Sequence, residues 1–534
     1  MDLESLGGLT MHIILSKLAP QDAAYVACVR KSFRNWASDD LLWSRFCADD
    51  LDLSSPIDPL GIPLPSFKAS YQAWREAFNP YPWPLVTRVK RCWGRLKDWL
   101  AINFPEVLST LRKGATEDKI LELEKSLKVK LPLPTRVLYR FYDGQELTSE
   151  ESSGSVPGNL LGLMGGYSFY DHLVNVSLLP LHQVIIETKE IIRHLGFGNR
   201  SKYVVVAASC GYNEKIFFLN CSNGQLYVGT KNLTTDGEML PCVPNALISS
   251  VHDVKGSQQQ DAMLLWLEEH VRRLQHGMIK VRKEGKVRSI SLFPEEPPLC
   301  AVGVTNGVKV RASSVFVPEF SNIQDEREKF LFAYSIRMSL SPEGCKMNGM
   351  TFNSCQLYWR RWIIRCDDVI VDDVNGEAVI GKFPLLRPGE EEFVYESCIT
   401  QSSSPGSIEG AFTFVPGRLA DPKGSPFEAV VSRFPFLLNR TCSPPKISVQ
   451  SFVKCKGKKC KNKQSESAAV TETNSGKSGV GCCFNGEIPE ELLQETKIRP
   501  DLAFLWVHLI EEIDLGQACL VFEESTVSHQ GVSY

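Results

Sequence analysis

The chain has 534 residues, of which 43% are hydrophobic and 23% are charged, a balance typical of folded globular proteins. Since a domain has about 150 residues, this length predicts three or four domains. The 59 basic and 62 acidic residues give a net charge of −3, which argues against a strongly basic nucleic-acid binder and against a highly acidic disordered chain.

No segment has the character of a secretory signal or a membrane span. The first 20 residues lack a basic stretch followed by an unbroken apolar run, and we find no run of about 18 apolar residues. The 17 cysteines are odd in number and scattered through apolar segments, which favours buried free thiols over disulfides. We therefore expect an intracellular protein without a membrane partner.

Residues 1–50 have the pattern of three or four short helices. One face of a first helix carries Leu9, Ile13, Ile14 and Leu18. Pro20 suits the first turn of a second helix. Because 50 residues are few for an independent core, we expect this segment to complete its core against a partner. The proline-rich residues 51–90 are predicted to be a linker with one short helical insert.

Residues 91–275 combine amphipathic helices with short apolar runs, and this mixture predicts an α+β domain. Asn223 and Gly224 lie between two of the apolar runs and predict a β-hairpin. Residues 276–300 mix basic residues with prolines and are predicted to be a second linker.

Residues 301–440 consist of short alternating segments separated by turn residues, a pattern that predicts a β-sandwich. The alternation is unbroken over residues 330–340, which predicts a strand with one buried and one exposed face. Residues 441–488 are rich in Lys and Ser, lack periodicity and are predicted to be a disordered linker. Residues 489–534 begin with a helical pattern and are predicted to be a C-terminal helical segment and tail.

No arrangement of residues in the sequence points to catalysis, a cofactor or a metal. The Gly-Lys-Ser at 476–478 imitates the end of a phosphate-binding loop, but Glu472 occupies the position that requires glycine. Cys455 and Cys460 have no second pair at zinc-ligand spacing, and neighbouring lysines oppose a cation. We expect no catalytic residue, no cofactor and no metal site, although a triad assembled only in space stays open.

The N-terminal helices resemble an F-box. The matching residues are those at 14–18, Pro20 with Asp22, Phe33 with Trp36, and those at 41–43. The resemblance implies docking on a Skp-type adaptor and, through it, assembly with cullin and RING subunits. The residues expected to face the adaptor, some of which instead fill the F-box core, are Leu6, Ile14, Leu15, Leu18, Pro20, Leu42 and Trp43. The chain has Gly7 where the family usually has proline, a departure that bears on the first adaptor contact.

Residues 93–275 resemble the SUKH superfamily. The resemblance lies in the helical segment 121–132, in the helix that ends at Asp143 and Gly144, and in the hairpin around Gly224. It implies an α+β protein-binding module without catalytic activity.

Residues 301–440 resemble ApaG, a fibronectin type III-like sandwich. The resemblance lies in residues 318–321, 332–334, 360–364, 374–397, 406–410 and 434–437. Bacterial relatives often carry a glycine-rich loop at 376–381, whose middle position is Ala378 in this chain. We interpret this loop as a structural turn with Gly376 and Gly381 at positive φ; phosphate or nucleotide binding is the alternative.

The order of the three resemblances is similar to that of plant and animal F-box proteins with an ApaG domain. It implies a multidomain chain with an α-helical F-box, an α+β SUKH-like domain and an all-β ApaG sandwich. The implied function is that of a non-catalytic substrate-recognition subunit of a Skp–cullin–F-box ubiquitin ligase. Its partners would be the adaptor and an unknown protein substrate, with no nucleic acid, in the nucleus and cytoplasm. The alternatives are an adaptor-binding scaffold without ligase function and an ApaG-type small-molecule sensor.

Overall fold

The computed structural model describes residues 7–438, apart from 147–159, 171, 196–201, 210–214, 231–232, 234–238, 250, 253–258, 285–286 and 323–324. The predicted disordered linker at 441–488 and the predicted helical segment at 489–534 lie outside the described residues. Among the described helices, none has both the length and the apolar character needed to cross a membrane. The described cysteines are free thiols.

Four short helices open the described chain. They are α1 (Gly7–Leu15), α2 (Pro20–Val26), α3 (Lys31–Trp36) and α4 (Asp40–Leu51). Pro20 lies in the first turn of α2, where a missing N–H costs no helical hydrogen bond. The side chain of Asp39 accepts a hydrogen bond from the N–H of Leu41 at 3.0 Å and caps α4.

The prediction of a linker at residues 51–90 is wrong. Two helices occupy much of this segment, α5 (Phe67–Ala77) and the start of α6 (Trp83–Asn103). Tyr71 and Trp74 of α5 are buried, and the ring of Tyr71 lies 5.3 Å from that of Trp43. Prolines flank these helices or lie in a first helical turn, so they shape the ends of helices and do not prevent packing.

The following α+β part carries a long sheet covered by helices. Its first elements are α7 (Pro105–Ser109), β1 (Leu111–Lys113), α8 (Glu117–Leu127), α9 (Leu133–Phe141), β2 (Tyr142–Gln145), β3 (Gly165–Phe169), β4 (His172–Leu178) and α10 (Leu181–Leu195). The others are β5 (Tyr203–Ser209), β6 (Ile216–Asn220), β7 (Leu226–Gly229), β8 (Leu240–Pro241) and α11 (Ala262–Gln275). The predicted hairpin is present, because Leu219 pairs with Leu226 and Gly224 has a φ of 78°.

The prediction of a second linker at residues 276–300 is also wrong. This segment contributes β9 (Lys280–Glu284) and β10 (Val287–Ser291), which pair antiparallel. β10 also pairs parallel to β3, so the sheet has the order β8-β7-β6-β5-β4-β3-β10-β9. The basic residues that favoured a linker include Lys280 and Arg282, which lie against the buried carboxylate of Glu295.

Two facing sheets form the β-sandwich. Its strands are β11 (Cys300–Thr305), β12 (Val308–Phe316), β13 (Phe330–Leu340), β14 (Cys345–Met347), β15 (Met350–Phe352), β16 (Cys355–Cys366), β17 (Val369–Glu377), β18 (Leu385–Leu386), β19 (Phe393–Gln401), β20 (Gly406–Arg418), β21 (Asp421–Pro422) and β22 (Phe427–Phe436). One sheet has the order β11-β12-β13-β19, and β17, β16, β20 and β22 follow one another in the second. The core between them includes Phe332, Phe412, Phe414 and Phe434.

Both faces of β13 are covered, whereas the alternation predicted one exposed face. Phe332 and its alternate neighbours fill the sandwich core. On the opposite face, Ser335 and Arg337 are also buried. The cover comes from the α+β part, whose Ser168 and Tyr170 hydrogen-bond to Glu396 and Ser397 on β19, the strand beside β13, at 2.5 and 2.8 Å. A strand buried on both faces within a two-domain contact has no distinct signal in its own sequence.

The N-terminal helices and the α+β part share one hydrophobic core. Buried residues of this core run from Leu15 in α1 to Ala333 in β13. Phe78, next to α5, stacks on Phe141 of α9 with ring centroids 4.8 Å apart. The N-terminal segment was expected to complete its core against a partner. Much of the completing surface instead lies in the same chain.

Glu295 links the two β-sheet parts of the molecule, and its charge is expected to stabilise the fold. Arg282 donates hydrogen bonds to it, and Arg311 of β12 lies 3.1 Å from it. Burial alone raises the pKa of Glu295, but these hydrogen bonds and cations outweigh burial and hold the pKa below its ordinary value. We expect Glu295→Gln to lower the free energy of unfolding at pH 7 by about 2–3 kcal/mol.

The pH dependence of that loss checks its electrostatic origin. A depressed carboxyl pKa contributes stability above the unfolded pKa of about 4.3, and the contribution disappears as pH falls through the folded value. Chemical denaturation at pH 7 and below pH 4 should therefore show the two proteins converging in acid. Glu390→Gln, which removes an exposed ion pair with Arg387, should cost less than about 0.5 kcal/mol. Equal losses at both pH values would contradict the role of the charge.

Candidate functional site

Exposed apolar side chains are concentrated on the N-terminal helices. Leu9 is 78% exposed, and Tyr25 and Leu41 are each 72% exposed. Ile13 and Val29 are also more than half exposed. Several large exposed apolar side chains within one short segment make that segment a candidate protein–protein interface.

The structure separates the predicted contact residues into two groups, and three of them belong to the core. Leu15, Leu42 and Trp43 are buried and leave almost no surface for a partner. The indole N–H of Trp43 donates to the carbonyl oxygen of Ala37 at 2.7 Å, and its ring packs edge-on against Phe46 at 5.5 Å. These three residues hold the four helices together and therefore belong to the group that was expected to fill the core.

The other predicted residues retain surface. Ile14 is exposed, Leu18 is half-buried beside the core, and Pro20 is half-buried. Leu6 lies outside the described residues, and Gly7 is the first residue of α1. These positions stay predictions as contact residues.

Sequence reasoning missed the most exposed positions of this surface. Leu9 and Ile13, four residues apart, lie outside the core, whereas Met11 and Leu15 of the same helix are buried. A helix that is apolar on opposite faces needs a second apolar surface besides its own core. The nearly continuous apolar composition of α1 was the signal in the sequence. Three further exposed apolar side chains are Tyr25 on α2, Val29 just after α2, and Leu41 on α4.

The loop at residues 376–381 is a structural turn, but its backbone differs from the prediction. Gly381 has a φ of 72°, whereas Gly376 does not have a positive φ; Ala378 and Ile380 do, at 61° and 44°. The N–H of Ala378 donates to the carbonyl oxygen of Tyr358 at 3.1 Å, and the N–H of Val379 donates to the carbonyl oxygen of Lys382. Because these amides are engaged within the protein, they are unsuited to cradling a phosphate.

Among the described residues, no group of three or more His, Cys, Asp or Glu side chains is arranged so that it could hold a metal ion.

Known proteins share both the ApaG domain and most of the length of this chain. A family model described as the ApaG domain (DUF525) matches residues 320–416. F-box protein SKIP16 of Arabidopsis thaliana is 60% identical over 440 residues, which are 82% of this chain and 99% of that protein.

The chain belongs to the family of F-box proteins that includes SKIP16. F-box only protein 3 of Homo sapiens is 25% identical over 432 residues, 78% of this chain and 79% of that protein. Protein ApaG of Anaeromyxobacter sp. (strain K) is 32% identical over 141 residues, 26% of this chain and 98% of that protein. The family membership and the ApaG domain inferred from the sequence are confirmed. In this F-box protein the ApaG match falls within the β-sandwich.

Proposed function

We propose that this protein is a non-catalytic substrate-recognition subunit of a Skp–cullin–F-box ubiquitin ligase. The observation that carries the proposal is the set of exposed apolar side chains on α1, α2 and α4, which includes Leu9, Ile13, Tyr25 and Leu41. Its position at the start of a chain of the SKIP16 family supports the interpretation as a Skp-type adaptor site. Cullin and RING subunits would join through the adaptor, in the nucleus and cytoplasm.

The remaining parts would hold the protein to be ubiquitylated. We propose that the α+β part is a SUKH-like domain and that it binds the target together with the ApaG sandwich. Such a receptor accelerates ubiquitin transfer by raising the local concentration of target lysines near the charged conjugating enzyme. It therefore needs shape and docking surfaces, and it needs no acid–base group of its own.

Charge placed on the N-terminal surface is expected to block adaptor binding. Ile13→Glu should weaken the Kd of the full chain for a purified Skp-type adaptor at least about tenfold, because a carboxylate would be desolvated at an apolar contact. Isothermal titration calorimetry measures this directly. Ile102→Glu is the matched control, because Ile102 is an exposed isoleucine on α6, outside this surface; its Kd should change less than about twofold.

Two results would count against the adaptor site. One is the absence of measurable binding between the unmodified chain and the adaptor. The other is unchanged affinity in Ile13→Glu, Tyr25→Glu and Leu41→Glu alike, which would move the contact away from these helices. Reconstituted ubiquitylation of proteins captured by the chain then tests the ligase role, since a scaffold would bind the adaptor without any transfer of ubiquitin.

A further inference from the structure

The outer edge of β17 is open along the second sheet of the β-sandwich. β17 ends the strand order of that sheet, and among the described strands it pairs with β16 alone. In an antiparallel pair, alternate residues of each strand direct their N–H and C=O groups away from the partner strand. The nine residues of β17 therefore present a row of backbone donors and acceptors to which a further strand can pair.

Three consecutive apolar side chains are exposed at the start of this edge. Val369, Ile370 and Val371 are 65%, 53% and 56% exposed. Successive side chains of a strand point to opposite faces of the sheet, so exposure of all three shows that this part of β17 is uncovered on both faces. A strand that pairs with β17 would cover apolar side chains on both faces as well as the open backbone groups.

Acidic side chains follow the apolar residues along the same strand. Asp372, Asp373 and Glu377 are exposed, and β17 contains no basic residue. Asp373 forms an ion pair with Arg361 of β16 at 2.6 Å, whereas no cation among the described residues pairs with Asp372 or Glu377. An incoming strand would therefore meet an apolar stretch followed by a stretch with uncompensated negative charge.

These charges disfavour a second copy of β17 as the partner. An antiparallel pairing of two copies that matches their apolar residues would be centred on Ile370. Asp372 of each copy would then lie opposite Asp368 of the other, and Asp373 would lie opposite Asp367. Like charges directly opposite each other destabilise a strand pair, and opposite charges stabilise it. The same positions would thus favour a strand with lysine or arginine.

We propose that the edge of β17 binds an extended segment of a partner protein in which basic residues adjoin β-branched apolar residues. Antiparallel pairing would place the apolar residues opposite residues 369–371 and the basic residues opposite Asp372 and Asp373. Backbone hydrogen bonds would supply affinity for any extended chain, and the charges would select among partners. The inference deepens the proposed role of the sandwich in holding a target, and it rests on that proposed function.

Fluorescence polarisation with the full chain tests the proposal with a defined probe, the labelled peptide Thr-Lys-Lys-Val-Ile-Val-Thr with blocked termini. One matched peptide has glutamate in place of both lysines. The other has proline in place of isoleucine, which removes an N–H and disfavours pairing as a strand. We expect the lysine peptide to bind at least about tenfold more tightly than either matched peptide. Equal affinity for the lysine peptide and either matched peptide would overturn the proposal.

A charge reversal on the strand locates the binding. Asp372→Lys should weaken binding of the lysine peptide at least about fivefold and strengthen binding of the glutamate peptide. Loss of structure alone would weaken both, so the reversal of preference is the specific result. Glu343→Lys, on an exposed position before β14, is the matched control and should change both affinities less than about twofold. An Asp372→Lys protein with unchanged preference would overturn the assignment to β17.

Two further measurements separate this inference from its alternatives. Sedimentation velocity of the full chain should show no dimer that depends on β17; a dimer that Ile370→Lys abolishes would assign the edge to a second copy and overturn the proposal. The peptide measurements contain no adaptor. Absent peptide binding beside intact adaptor binding would overturn this inference alone, and the reverse result would overturn the ligase proposal alone.

Discussion

Asp261→Ala is expected to lower the free energy of unfolding by about 3–5 kcal/mol. The carboxylate of Asp261 is fully buried and caps α11 by accepting from the N–H of Leu264 at 2.9 Å. It also accepts from the N–H and the hydroxyl of Thr135 in α9, at 2.9 and 2.5 Å. Alanine would leave all three donors buried without this acceptor. Guanidinium-chloride denaturation followed by circular dichroism measures the loss.

Asn is the informative second substitution at this position. Burial raises the pKa of Asp261, against the opposing effect of its hydrogen bonds, so the ionised form is disfavoured in the folded state. Because a raised carboxyl pKa favours folding below the unfolded pKa, and that benefit is lost as pH rises, Asp261→Asn should cost less at pH 7 than at pH 4. Its cost at pH 7 should be about 1–2 kcal/mol, since one acceptor oxygen remains.

The exposed Asp98 on α6 provides the control, and Asp98→Ala should change stability by less than about 0.5 kcal/mol. If Asp261→Ala unfolds at the same denaturant concentration as the unmodified protein, the buried link between α9 and α11 does not stabilise the fold.

Trp43→Ala is expected to cost about 3–5 kcal/mol as well, the range for a large buried aromatic side chain. Its ring packs on Phe46 of α4 and on Tyr71 of α5. The carbonyl oxygen of Ala37 would also lose the hydrogen bond that the indole N–H donates. Thermal melting measures the loss. Tyr25→Ala removes an exposed aromatic ring from the same group of helices, and it should change stability by less than about 0.5 kcal/mol.

The two substitutions are also expected to affect adaptor binding for different reasons. Tyr25→Ala should weaken binding in a protein that remains folded, whereas Trp43→Ala should act through stability. For the same reason, deletion of residues 1–50 would remove partners of Tyr71 and disturb the remaining core. A Trp43→Ala protein that melts like the unmodified chain would show that this residue is not part of the shared core.

Elements with strong local periodicity were predictable from the sequence. Residues 330–340 alternate without interruption and form β13 with the predicted bounds. By contrast, β3 begins Gly-Gly and has a sequence of low strand propensity, so only its neighbours in the sheet make it a strand. The helix α10, which sequence reasoning did not identify, buries Leu181, Val184 and Ile191 at helical spacing, so its signal was present.

Tertiary contacts decided what the sequence left open. Proline counts favoured a linker at 51–90, because composition does not show that Tyr71 and Trp74 are buried against other helices. Within the candidate site, Leu15 and Ile14 are neighbours of the same residue class, yet one is buried and the other exposed. Their difference depends on the direction of α1 relative to α4, which a single sequence does not reveal.

The core shared by the N-terminal helices and the α+β part has a consequence for how such chains are built. An independent module can be exchanged between proteins by joining it to a new neighbour through a flexible connection. Here α5 contributes Tyr71 and Trp74 to the packing of the helices before it, and Phe78 joins α5 to α9. A chimera that transplants only the first 50 residues would cut through this core. A segment that could be transferred between proteins would have to extend into the α+β part. Recombination within that segment would break the shared core and would be selected against.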